Sequence, residues 1–226
     1  MTRVCLDPGS THDGDLHKAL RLIEIAAATG SDAIKFQLLS PAECKGGNIS
    51  IDWEWFPELI EAGKDMGIEV FASVFDRSGW DYVIQCGCKS VKLSYSQAHK
   101  LREYPHKTPL ENFYVSQDVM SPALSLTPII PRKAPPPDMK LIRLYCLPLY
   151  PVPYVIDFEG LFDGSAPRFD GFSSHALGIQ QEIRAADAGA KCLEFHMKGD
   201  WDSPTPDGRF AKSPAMVEKI CKAVKK

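Results

Sequence analysis

Long apolar runs are missing from this chain. No segment approaches the length that a bilayer crossing needs. The start carries no charged leader with an apolar core, since Met1 leads almost directly into Arg3-Val4-Cys5-Leu6. The expectation is a cytoplasmic protein with no membrane partner. An excess of charge of one sign is also missing. A formal net charge of -3, with the charged residues interspersed, gives no field that would collect nucleic acid. Lys219, Lys222, Lys225 and Lys226 fit the exposed face of a last helix. The 7 cysteines are an odd number scattered through apolar runs, which suits reduced core residues and not a secreted disulfide framework. Cys86 and Cys88 alone are spaced like metal ligands, and no second Cys or His pair lies near them. No internal repeat and no domain boundary shows, so residues 1–226 are expected to form one domain.

What is present is an ordinary globular composition, 44% hydrophobic and 24% charged, long enough to bury a large core. Short runs rich in Val, Ile and Phe recur at 3–8, 32–38, 69–74, 90–95, 112–117, 141–147, 169–175 and 191–197. Segments of helical period lie between most of them. Residues 15–29 set Leu16, Ala19, Leu20, Ile23 and Ala26 on one stripe and stop at Gly30. Residues 53–66 stop at Gly67, 178–188 run to Gly189, and 214–224 follow a Ser213 cap with Pro214 in the first turn. Eight strands with crossover helices predict a compact α/β fold, the (β/α)8 TIM barrel, with an open doubly wound sheet as the alternative. The fifth crossover departs from the pattern. Residues 121–139 hold Pro122, Pro128, Pro131 and Pro135-Pro136-Pro137, which precludes one continuous helix and predicts an irregular loop.

In a barrel the chemistry sits at the C-terminal ends of the strands. Those positions are Asp7, Lys35, Ser73 with Asp76, Lys92, Ser116, Tyr150, Ser173 with His175, and His196. Lys35 and Lys92 interrupt strands otherwise suited to burial. A buried ammonium needs an anionic partner, because desolvating it alone is expensive. That partner is either a bound phosphate and carboxylate or an internal Asp or Glu. A Schiff-base role for either lysine is a third reading. His175 and His196 end consecutive strands, which would bring two imidazoles side by side. Such a pair favours Mn, Zn, Co or Fe over Ca and leaves positions open for water or substrate oxygen.

The blocks Asp7-Pro8-Gly9-Ser10-Thr11-His12-Asp13-Gly14, Ser31-Asp32-Ala33-Ile34-Lys35-Phe36-Gln37 and Gly67-Ile68-Glu69-Val70-Phe71-Ala72-Ser73-Val74-Phe75-Asp76 follow one another. After them come Val91-Lys92-Leu93-Ser94, Leu149-Tyr150-Pro151-Val152-Pro153-Tyr154, Phe172-Ser173-Ser174-His175-Ala176-Leu177-Gly178-Ile179, Glu194-Phe195-His196-Met197 and Thr205-Pro206-Asp207-Gly208-Arg209-Phe210. In order and spacing this series resembles the sialic acid synthase family over nearly the whole chain. The resemblance implies a barrel that condenses phosphoenolpyruvate with a sugar or other aldehyde acceptor, releasing phosphate and forming a 2-keto acid. It implies that His175 and His196 hold a divalent metal, Mn²⁺ first, with Mg²⁺ or Co²⁺ as alternatives. It also implies that Lys35 and Lys92 grip phosphoenolpyruvate with Ser73 and Ser173, and that Tyr150 and Asp207 contact substrate.

Departures from the family pattern bear on activity. Asp7 stands where the family has glutamate, one methylene longer. After Lys92 the family runs through small residues to a glutamate, whereas here Tyr95 adds bulk and Gln97 has no acid or base function. Members usually continue into a small C-terminal antifreeze-like domain, so a different acceptor is expected here. A homo-oligomer is allowed, without the family's domain-swapped dimer being assumed. Asp7, Lys35, Lys92, Gln97 and Asp207 are thus the catalytic positions to examine. A non-catalytic ligand-binding barrel and a metal-dependent aldolase or lyase are the competing functions.

Overall fold

Period-two alternation turns one side chain of each pair into the barrel and the other toward the helices. In β1 (Arg3–Asp7) Val4 and Leu6 are fully buried on the outer face, while Cys5 and Asp7 share the inner one. The same logic runs through β2 (Ala33–Leu38), β3 (Glu69–Val74), β4 (Ser90–Leu93), β5 (Asn112–Gln117), β6 (Lys140–Cys146), β7 (Gly171–Ser174) and β8 (Cys192–His196). All pair in parallel and in sequence order, and β8 returns to β1 to close the sheet. This computed structural model describes every residue except 41–42, 45–48, 105–107, 119–138, 165–168 and 226, together with the side chains of 101–103. Among the described residues no helix is long and apolar enough to cross a membrane.

Registers fix the layers inside. Cys5, Ala33, Phe71, Tyr114, Ile142, Leu144 and Cys192 form an apolar plug, with the Phe71 and Tyr114 rings stacked 5.3 Å apart. Below it a polar chain closes the floor: Arg3 pairs with Glu69, which also accepts from Ser90 Oγ at 2.5 Å. Above it, pairings such as Asp7 with His196, Ser73 with Lys92 and Ser173 with Glu194 set polar side chains side by side at the C-terminal rim. Gly171 permits the tight fit of β7 on β8. A Cβ there would lie 2.1 Å from the Cys192 carbonyl oxygen.

Helices cover the outside. The helix α1 (Leu16–Ala28) is capped by Asp15, whose carboxylate accepts from the Lys18 amide, and buries Ala19, Leu22, Ile23, Ile25 and Ala26. Each fully buried Leu or Ile contributes roughly 1.5–3 kcal/mol relative to exposure. A 3-10 turn, Trp53–Trp55, leads into α2 (Phe56–Asp65), so the helix expected over 53–66 is split at its first turn. Then follow α3 (Arg77–Gln85), capped by Asp76, and a 3-10 helix, Tyr95–Glu103. After β7 come α4 (Gln180–Asp187) and, after β8, α5 (Pro214–Val224). The fully buried Glu182 of α4 accepts from Ser174 Oγ at 2.6 Å and pairs with Lys212 Nζ at 3.1 Å, tying α4 to the rim. The proline-rich fifth crossover falls on the stretch outside the described residues, apart from Met139, which is buried.

Candidate active site

Both buried lysines find carboxylates. Lys35 Nζ donates to Asp7 Oδ2 at 2.6 Å and to Ser73 Oγ at 2.7 Å. Lys92 Nζ donates to Glu194 Oε1 at 2.5 Å, and that oxygen also accepts from Ser173 Oγ at 3.0 Å. Burial would raise the Asp7 carboxyl, but the Lys35 ammonium, helped by His196, outweighs it and holds the group well below the usual carboxylate range. Burial likewise works against Lys35, and Asp7 and Glu194 overcome it to hold the ammonium above its ordinary value. Glu194 is held low against burial by Lys92 and then Lys35. These groups line one cavity of about 60 Å³ at the barrel mouth, together with Ser116, Cys146, His175 and His196.

The two imidazoles do converge. Their ring centres lie 5.5 Å apart. Leu147 O sits 3.1 Å from His175 Nδ1, so a proton on Nδ1 serves that carbonyl and leaves the Nε2 lone pair free. Burial, and then the neighbouring His196, push His175 down to about 4, which makes it neutral near pH 7. His196 Nε2 is 3.8 Å from Asp7 Oδ2 and its Nδ1 3.8 Å from Asp207 Oδ1, and Nδ1 is buried without a hydrogen-bond partner among the described residues. An uncharged imidazole beside an imidazole with an orphaned nitrogen is a donor set that fits a divalent cation. Among the described residues no group of three or more His, Cys, Asp or Glu could hold a metal ion, so the remaining positions would fall to water or substrate oxygen.

Above this rim opens a second cavity of about 730 Å³. Asp207, on the 3-10 turn Asp207–Arg209, enters it with Oδ2 accepting from both the amide and the hydroxyl of Ser10 at 2.7 Å. Aromatic and proline side chains make much of its wall, among them Tyr150, Phe210, Pro204 and Pro206. Gln37, Phe75, Ser94, Tyr95, Tyr150 and His196 border both cavities and form the neck between them.

Of the expected site positions, Asp7, Lys35, Ser73, Lys92, Ser173, His175 and His196 meet in the inner cavity, Tyr150 stands at the neck, and Asp207 lines the outer one. Gln97 borders neither. It is buried in the 3-10 helix with Nε2 3.3 Å from Ser96 Oγ and Oε1 without a partner among the described residues. β4 was expected to run to residue 95 but ends at Leu93, which carries Tyr95 over the mouth, its hydroxyl donating to Asp118 Oδ2 at 2.8 Å. Asp76 caps α3 through the Gly79 amide and stays outside both cavities. Cys86 and Cys88 are free thiols, half-buried and buried. Sequence reasoning missed Glu194 as the Lys92 partner. The signal was there: Glu194 sits two residues before His196 and so shares its face of β8.

A family model described as the NeuB family matches residues 139–226. The N,N'-diacetyllegionaminic acid synthase of Legionella pneumophila is 24% identical to this chain over 252 residues, covering 98% of it and 71% of that protein. The N,N'-diacetyllegionaminic acid synthase of Campylobacter jejuni is 24% identical over 258 residues, covering 99% and 75%. Among solved structures, the N-acetylneuraminic acid synthetase of Leptospira borgpetersenii superposes with a TM-score of 0.78 at 23% identity, covering 99% of this chain and 82% of that one. At that identity the superposition speaks for the barrel fold.

Proposed function

We propose that this chain, which carries a NeuB family domain over residues 139–226, condenses phosphoenolpyruvate with an aldose or other aldehyde to give a 2-keto acid and phosphate. One observation carries the reading: two ammoniums, two serine hydroxyls and two imidazoles share a single cavity beneath a second one large enough for a sugar. Lys35 with Ser73 and Lys92 with Ser173 are spaced as two polar grips, suited to the two anionic ends of the enol phosphate. Asp207, anchored by Ser10, offers its other oxygen to acceptor hydroxyls, and Tyr150 walls the approach.

Charge balance explains the histidines. The inner layer sets Lys35 and Lys92 against Asp7 and Glu194, so it is already compensated. An enol phosphate entering it brings uncompensated negative charge, which is costly to bury. Held by His175 and His196, a divalent cation, Mn²⁺ or else Mg²⁺ or Co²⁺, would supply positive charge and polarise the acceptor carbonyl. The chain's own residues bind and orient the donor, exclude bulk water from the inner cavity and hold the acceptor above it. Seven free thiols suit a reducing compartment, and the reading places the enzyme in the cytoplasm.

The test is phosphate release from phosphoenolpyruvate with Mn²⁺ and a panel of aldoses, alongside calorimetric titration of phosphoenolpyruvate. Release with at least one acceptor is expected. Binding without release from any acceptor would favour the non-catalytic barrel, a reading supported by lysines whose charges are already met internally. Absence of both binding and release would reject the condensation outright.

A further inference from the structure

We infer that Tyr95 and Asp118 form a proton relay at the neck between the two cavities, with the Tyr95 phenol the catalytic group that meets substrate and Asp118 the positioning residue behind it. The inference rests on the condensation reading and adds the group that handles its protons. Such a reaction needs a base for the water that adds to C2 of the enol phosphate, and most carboxylates at the mouth are engaged. Asp7 is gripped by Lys35 and Glu194 by Lys92, both held below their ordinary range, so they attract a proton poorly. Asp207 is turned to Ser10. Gln97 borders neither cavity and has no basic function.

Asp118 differs from all of these. It is 7% exposed and, among the described residues, it has no cationic partner, and its Oδ1, like Glu194 Oε2, is buried without a hydrogen bond. Its contact with the cavities is through Tyr95, whose hydroxyl donates to Oδ2 at 2.8 Å and which lines both spaces. With its proton directed at Asp118, the phenol oxygen presents lone pairs to what lies in the neck. Burial, then the Asp118 contact, push the phenol up to about 12, so it keeps its proton at neutral pH and works by passing one on.

The protons balance as follows. C3 of the enol phosphate bonds to the aldehyde carbon, and the carbonyl π pair moves onto the aldehyde oxygen. Water bonds to C2 and gives one proton to the Tyr95 oxygen as the phenol proton passes to Asp118 Oδ2. That proton returns along the same path to the new alkoxide, leaving the relay as it began. When the bond from C2 to the bridging oxygen breaks, the second water-derived proton leaves with the phosphate.

The experiment uses the full chain with Mn²⁺, phosphoenolpyruvate and whichever aldose supports release. Tyr95→Phe and Asp118→Asn are each expected to lower kcat by about 100-fold or more, within the range for a lost general base. Phosphoenolpyruvate affinity by calorimetry should stay within threefold, and the double variant should be no slower than the slower single one. A Tyr95→Phe enzyme with kcat near that of the native chain overturns the relay while leaving the condensation standing. Equal losses of kcat and donor affinity would also overturn it, since they mark a structural role. A native chain that releases no phosphate with any acceptor overturns the condensation and the relay with it.

Discussion

Gly9 lies against Asp207 so closely that a Cβ at position 9 would come within 2.3 Å of Asp207 Oδ2 and 2.8 Å of His196 Nδ1. Its φ of +53° is one that a residue with a side chain adopts at a cost of about 1–2 kcal/mol. The backbone after β1 thus passes between two site residues on the strength of a missing methyl group. Gly9→Ala is expected to displace Asp207 and raise the acceptor KM at least tenfold, with donor affinity nearly unchanged. Steady-state kinetics with calorimetry checks both halves.

Lys35 and Asp7 are expected to behave as a unit. Lys35→Met strands a buried carboxylate and should destabilise the fold by about 3–5 kcal/mol, whereas adding Asp7→Asn should recover most of the loss. Urea unfolding of the two singles and the double measures the coupling. Because the folded Asp7 pKa is depressed, its contribution is present above the ordinary value of 3.8 and is lost as pH falls below it. Lys35 is raised, so its share is present below 10.5 and lost as pH rises past it. The double variant should show a flatter stability profile at both extremes.

Gln97→Glu tests where the side chain points. A glutamate here would not border either cavity, and turnover is expected to be unaltered. Its carboxylate would be buried beside Ser96 with no cation among the described contacts of Gln97, so stability should fall by about 1–3 kcal/mol. A large gain in kcat would show that the 3-10 helix turns this residue into the site.

Thiol chemistry reads the layers. Burial pushes Cys146 up to about 11 and Cys88 and Cys192 up to about 12. A maleimide at pH 7.5 should therefore label exposed Cys44 within minutes in the native chain, leave Cys5, Cys146 and Cys192 unmodified, and reach all seven after unfolding. Peptide mass analysis at timed intervals gives the order. Early labelling of Cys5 or Cys192 would place solvent deeper in the barrel than the apolar plug allows.

Local pattern was enough for the eight strands, for α1, α4 and α5, and for the lysines and histidines at the strand ends, because periodicity and capping are written within a few residues. The split start of α2 and the early end of β4 were not legible, since each depends on what the chain meets across the barrel. Sequence alone determined that two ammoniums and two imidazoles would gather at one rim: strands of parallel sense all deliver their C-terminal ends to the same side. Tertiary structure decided their partners. Asp7 reaches Lys35 because β1 lies beside β2, Glu194 reaches Lys92 because closure sets β8 across the interior from β4, and Tyr95 meets Asp118 only because β4 stops short. Electrostatic pairing over 28 or 102 positions of separation follows from barrel geometry, which no local pattern encodes.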